Sequence, residues 1–146
     1  MKKLTLLVAI MFATFSFAQD QGQWSFGVGG DFTTPADANV GYFVMDGLMV
    51  GASFSMDMGD DGQTNWGLDA RYYVTGSLFA QAGLGTNYAD ALATESDMDF
   101  ALSVGCSKEL GFDGKLWFEP CVMMTMPGAE NADGWLGLGW GFRYTF

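Results

Sequence analysis

The sequence contains no histidine, and Lys plus Arg number only 6 against 17 Asp plus Glu. Without histidine there is no ordinary general base near neutral pH, no His-containing triad and no imidazole for zinc. A formal net charge of −11 gives the chain no general attraction for nucleic acid or for anionic surfaces. Proline is scarce too. Pro35 and Pro127 fall in loops, and only Pro120 interrupts a strand pattern, where it removes a ladder donor. Beyond Ala18 no run of eighteen apolar residues occurs, which excludes a helical membrane protein. What the chain does have is 21 glycines, 16% aromatic residues and 49% hydrophobic residues. That is too apolar for disorder and too rich in glycine for a helical protein, so it points to β-structure.

The N-terminus reads as an export signal. Lys2 and Lys3 precede an apolar run from Leu4 to Ala13, and Ser16-Phe17-Ala18 places small residues at −3 and −1 of a cut. The run is about half of the ~20 residues a bilayer-spanning helix needs. The expected organisation is a signal peptide over 1–18 and one domain over 19–146. The domain then keeps four basic residues, Arg71, Lys108, Lys115 and Arg143, against all 17 acids.

From Trp24 onward the chain alternates with period two, interrupted by turn residues. Trp24, Phe26, Val28 and Phe32 stand opposite Ser25, Gly27, Gly29 and Asp31; Leu136, Leu138, Trp140, Phe142, Tyr144 and Phe146 stand opposite Gly137, Gly139, Gly141, Arg143 and Thr145. In a strand these sets point to opposite faces, one bulky and apolar, the other small or polar. The same reading through the chain predicts eight strands. Short turns at Asp46-Gly47, Thr75-Gly76 and Phe112-Asp113-Gly114 alternate with longer acidic loops. The fold expected is all-β, an eight-stranded antiparallel up-and-down barrel.

Two polarities compete. A soluble lipocalin-like barrel, binding a lipid or small hydrophobe, puts its bulky apolar face inward; Gly22-Gln23-Trp24 fits that family's Gly-x-Trp start. A transmembrane barrel inverts the faces. Three features favour the inverted form. The polar face is rich in glycine, which suits a narrow lumen. Aromatics (Trp24, Trp66, Trp135, Tyr72, Tyr88, Tyr144, Phe146) gather near strand ends, as in interfacial girdles. The sequence also stops within a strand, on an aromatic.

The pattern Trp140-Gly-Phe142-Arg-Tyr144-Thr-Phe146 resembles the C-terminal signature of bacterial outer-membrane β-barrels. Residues 40–51, VGYFVMDGLMVG, resemble the second hairpin of small barrels of the OmpA/OmpX type, and Arg71-Tyr72-Tyr73 and Gln81-Ala82-Gly83-Leu84-Gly85 are similar to their middle strands. The resemblance implies a monomeric barrel in the cell outer membrane. Its partners would be membrane lipids, lipopolysaccharide and the barrel-assembly machinery, the last reading Trp140, Phe142, Tyr144 and Phe146. It implies no catalytic residue and no cofactor, and fold alone supplies no activity.

Parity points Asp69, Arg71, Glu109, Glu119 and Arg143 inward, and a lumen network joining these five is expected, since buried arginines need carboxylate partners. Eight strands leave an interior filled by side chains, so ion conduction is not expected. Cys106 and Cys121 flank the Phe112-Asp113-Gly114 turn. One register sets them opposite each other and opens the way to a disulfide; the other pairs Val104 with Val122 and Leu102 with Met124 and leaves the thiols on opposite faces. Asp37, Asp60, Asp61, Asp90, Glu95, Glu130 and Asp133 sit in loops, with Asp97 and Asp99 at the lip. They lack EF-hand spacing and are taken as a solvated surface with no metal site. A carboxylate-only hydrolase built on Asp97 and Asp99 is a far weaker reading than rim charges.

Overall fold

In the computed structural model the described residues are 20–32, 36–56, 64–86, 98–128 and 133–146. The signal-peptide segment 1–18 lies outside them, as do Pro35, Tyr88 and the loop carboxylates Asp60, Asp61, Asp90, Glu95, Asp97 and Glu130. Among the described residues ten strand segments occur: β1 (Trp24–Asp31), β2 (Asp37–Met45), β3 (Leu48–Met56), β4 (Thr64–Thr75), β5 (Leu78–Gly85), β6 (Asp99–Cys106), β7 (Lys108–Gly111), β8 (Leu116–Phe118), β9 (Cys121–Met126) and β10 (Trp135–Thr145). They make eight staves, because β6 and β7 are one stave interrupted at Ser107, and β8 and β9 one interrupted at Glu119-Pro120. All pairings are antiparallel between neighbours. β1 pairs with β10, from Ser25 against Thr145 to Asp31 against Gly139, and closes the barrel.

Pro120 explains the break in its own stave. It has no N–H to give the ladder, but its carbonyl still accepts the Cys106 N–H at 3.1 Å. The neighbouring Glu119 N–H donates to the Gly141 carbonyl at 2.8 Å, so both flanks stay tied to the adjoining staves.

The faces sort as the alternation demands. Phe26, Phe54, Leu68, Val104, Leu136 and Leu138 project outward and are exposed, while Ser25, Asp99, Ser103, Glu119, Thr125 and Arg143 are buried within the lumen. That polarity is the reverse of what a soluble, hydrophobe-binding barrel needs. The glycines of the inner face make room for large side chains. A Cβ on Gly105 would lie 2.5 Å from Phe79 Cζ and 2.5 Å from the Pro120 carbonyl oxygen, so no larger residue fits there without displacing backbone.

The hairpin β7–β8 departs from the expected three-residue loop. Residues 112–115 form the turn, with Phe112 (φ 60°), Asp113 (φ 54°) and Gly114 (φ 77°) all left-handed and the Lys115 N–H donating to the Phe112 carbonyl at 3.2 Å. Asp113-Gly114 supplies the central pair of a primed turn, matched to strand twist. A bulge between Glu109 and Gly111 reconciles two registers: Lys108 pairs with Phe118 and Glu109 with Trp117, but Gly111 pairs with Leu116.

Candidate functional site

Glu119 is the centre of the lumen. Its Oε1 accepts hydrogen bonds from Ser107 Oγ (2.6 Å), Arg143 Nε (2.9 Å) and the Tyr73 hydroxyl (3.0 Å), and Arg143 Nη2 lies 2.9 Å from the same oxygen. Its Oε2 takes a short ion pair from Arg71 Nη1. Arg71 stands on the fourth stave and Glu119 on the seventh, so this pair crosses the lumen rather than running between neighbours. Two further guanidinium donors are used: Arg71 Nε donates to Gln81 Oε1 at 2.8 Å, and Arg143 Nη1 to Thr145 Oγ1 at 2.5 Å, whereas buried Arg143 Nη2 meets Glu119 only as an ion pair, without hydrogen-bond geometry.

Aromatic rings wall the cluster. Arg71 Cζ lies 4.5 Å from the Phe79 ring centre, and Arg143 Cζ lies 5.5 Å from Tyr73, 5.7 Å from Phe43 and 5.7 Å from Trp117. Ring faces carry negative potential, so they solvate the guanidinium planes where water is excluded. Phe43, Met49, Tyr73 and Phe79 form the buried apolar cluster beside the charges. The sequence reading did not single out these lumen aromatics. The signal was present, however, because each stands one residue from an outward-facing side chain (Phe43 beside Val44, Tyr73 beside Tyr72).

Of the five residues expected inside, Arg71, Glu119 and Arg143 meet directly. Asp69 faces the same lumen two residues along β4, its carboxylate against Gly51, and takes no hydrogen bond in the Glu119 cluster. Glu109 is a correction: it is exposed, and its Oε1 accepts the Gly114 N–H at 2.9 Å. Parity placed it on the inner face, but it lies at the open end of its stave, where the turn offers an unpaired N–H and water solvates the charge. Trp135 is a second correction. It shares the parity of the lumen glycines, and its ring lies over Gly137 instead of joining an outer girdle.

The outer aromatic pairs are Trp24–Tyr42 (ring centres 4.9 Å), Phe118–Phe142 (5.1 Å), Trp140–Phe142 (5.8 Å) and Tyr144–Phe146 (6.3 Å). Trp140, Phe142, Tyr144 and Phe146 thus share the outward parity of β10, with Trp140 Nε1 also donating to the Asp31 carbonyl at 3.2 Å. Cys106 and Cys121 are both unbonded: Cys121 pairs with Gly105, so the thiols fall on opposite faces, Cys106 exposed and Cys121 half-buried in the lumen. Intact mass should therefore be the same with and without reductant, and a thiol reagent should label Cys106 of the folded protein well before Cys121. A mass lower by two hydrogens in the unreduced protein would contradict this register.

Among the described residues no group of three acidic or thiol side chains is placed to hold a metal ion. Beside the Glu119 cluster the lumen keeps a cavity of about 120 Å³, lined by Arg71, Glu119 and Arg143 together with Asp69, Asn39 and Gln81 among others, polar and roomy enough for water.

No protein-family profile matches the chain, and no curated protein matches it. Among solved structures it is similar to the crystal structure of the N-terminal β-barrel domain of Pseudomonas aeruginosa OprF. The TM-score is 0.63 at 18% identity, with 88% of this chain and 100% of that chain covered. The fold is that eight-stranded barrel. A structure from a de novo design of transmembrane β-barrels also matches, with a TM-score of 0.48 at 18% identity, covering 88% of this chain and 98% of the other. At such identity the likeness speaks for the barrel and is silent about activity.

Proposed function

We propose that the protein is an integral outer-membrane barrel, exported after loss of residues 1–18, with a structural or surface-interaction role and no catalytic activity. The observation that carries this reading is the inverted polarity. Bulky apolar side chains ring the outside, whereas the charged and hydroxyl groups lie within. A surface of that kind is stable in hydrocarbon and aggregates in water. Short turns at one end and longer acidic loops at the other match a barrel with its turns in the periplasm and its loops at the cell surface. There the loops would meet lipopolysaccharide. Trp140, Phe142, Tyr144 and Phe146 supply the outward aromatic row for the assembly machinery, and the barrel works as a monomer.

The lumen reading follows from the cross-barrel cluster. Arg71, Glu119 and Arg143, walled by Phe43, Tyr73, Phe79 and Trp117, occupy the level at which an ion would have to pass. Displacing them means breaking buried ion pairs, so the lumen is closed.

Unheated protein refolded in detergent is expected to run at a different position from boiled protein on a denaturing gel, and the cellular product to fractionate with outer membranes. Reconstituted in planar bilayers, it should show no porin-sized conductance steps. A soluble periplasmic product sinks the membrane reading; steady large conductance sinks the closed lumen and leaves the membrane reading intact.

A further inference from the structure

Closing the barrel leaves one strand with a bare edge. Among the described residues every strand lies between two neighbours except β7, which pairs with β8 alone. The fifth stave begins at Leu78, and its last bond to the sixth is the Ser107 N–H donating to the Ser77 carbonyl at 2.6 Å. Lys108–Gly111 run on past that point, and four residues of strand reach about 13 Å. The other side of the hairpin is covered, since β8 pairs with β10 and the Thr145 N–H donates to the Lys115 carbonyl at 2.8 Å.

A strand's backbone groups alternate sides. Ser107 turns its N–H towards the fifth stave, so the Glu109 N–H and carbonyl, two residues on, face the same way and meet no neighbour among the described residues. The chain covers an equivalent overhang elsewhere. β2 runs past the start of β1, and the turn before β1 folds over it: the Gly22 N–H donates to the Phe43 carbonyl at 2.8 Å, and the Gln23 carbonyl accepts the Phe43 N–H at 2.9 Å. No described segment does this for β7, where Lys108, Glu109 and Leu110 are exposed. The Glu109 carboxylate is turned onto the Gly114 N–H and leaves the edge open. Unpaired backbone groups are excluded from hydrocarbon, so in a membrane barrel this edge stands in the aqueous layer beyond the short turns.

We infer that β7 is a docking edge for an extended peptide segment of a periplasmic protein, which adds beside it as one more antiparallel strand. This rests on the membrane-barrel reading with its short turns in the periplasm, and it names a class of partner there. A backbone edge is matched by another backbone, which supplies a carbonyl for the Glu109 N–H and an N–H for the Glu109 carbonyl. Side chains set the pattern the segment must carry. Residues opposite each other across a pair share a face, so an acidic residue suits the position against Lys108, a basic one that against Glu109, and an apolar one that by Leu110. A second copy of this chain fits poorly. A symmetric antiparallel pair centred on Lys108 or on Glu109 sets like charges opposite each other, and one centred on Leu110 falls on the bulge between Glu109 and Gly111.

The test follows backbone amide NMR signals of the refolded barrel in detergent micelles. In the barrel alone the Glu109 N–H should exchange with solvent faster than the Lys108 N–H, which alternation turns towards β8. A capped Thr-Thr-Val-Lys-Asp peptide, added to millimolar concentration, should shift the signals of residues 107–111 and slow exchange at Glu109. Glu109→Pro removes the edge N–H without touching the ladder to β8. It should bind the peptide about tenfold more weakly than Glu109→Ala, which loses the same carboxylate but keeps the N–H. Both variants should remain heat-modifiable on gels, which shows that the barrel is intact. Slow exchange at Glu109 in the barrel alone, no peptide shifts at 107–111, or equal binding by the Pro and Ala variants each overturns the site. Shifts at 107–111 that follow barrel concentration without peptide overturn it in favour of a second copy. A barrel that stays folded and dispersed in water without detergent instead overturns the membrane reading, whatever the peptide does.

Discussion

Glu119→Ala is expected to destabilise the barrel by about 3–5 kcal/mol, because it strips the carboxylate from buried Arg143 and half-buried Arg71 while leaving both charges in the lumen. Arg143 is only 2% exposed and the Glu119 residue 4%, so water cannot take over the lost partner without the lumen opening. The Tyr73 hydroxyl and Ser107 Oγ lose their acceptor in the same step. The measurement is the urea midpoint of refolded protein in detergent or vesicles, followed by tryptophan fluorescence. Glu109→Ala is the matched control, since that carboxylate is solvated and holds only the turn; its effect should stay within about 0.5 kcal/mol. Equal effects of the two substitutions would falsify the assignment of Glu119 as the hub.

The second large effect is on the outside. Val104 lies midway along the stave made by β6 and β7, pairs with Val122 and Ala80 on either side, and is 62% exposed. If that surface lies in hydrocarbon, Val104→Arg should cost about 2–4 kcal/mol of stability in vesicles, the penalty of a cation near the bilayer midplane. On a water-facing strand the same change would fall within about 0.5 kcal/mol. Short-chain detergent should reduce the penalty, because a micelle lets the guanidinium reach water. A null effect in vesicles removes the membrane-facing assignment of this face, whatever the Glu119 result. The two substitutions thus probe the inner and outer faces of one barrel separately.

The two faces are legible in the order of residues. Trp24 to Asp31 and Leu136 to Thr145 sort by odd and even position, and the structure keeps that sorting. The short turns at Asp46-Gly47 and Asp113-Gly114 were legible for a similar local reason, since residues that tolerate left-handed backbone announce themselves. Glu109 and Trp135 mark where this reasoning stops. Both have the inner parity, but one sits beyond the mouth and the other at the lip, and alternation carries no information about height along the barrel axis.

The alternation of the eight staves, and which side chains share a face, follow from the order of residues, because a strand's backbone turns successive side chains through a half-rotation whatever surrounds it. Barrel closure is what brings Arg71 to Glu119 across the lumen, gives Arg143 the same carboxylate, and sets Cys106 and Cys121 on opposite faces. Those meetings depend on the stagger between staves, which accumulates from the register of every hairpin around the closed barrel. Register irregularities near Met45, Thr75 and Gly111 each alter it. No single strand encodes that sum, so the partner of a charged residue becomes visible only when the barrel closes.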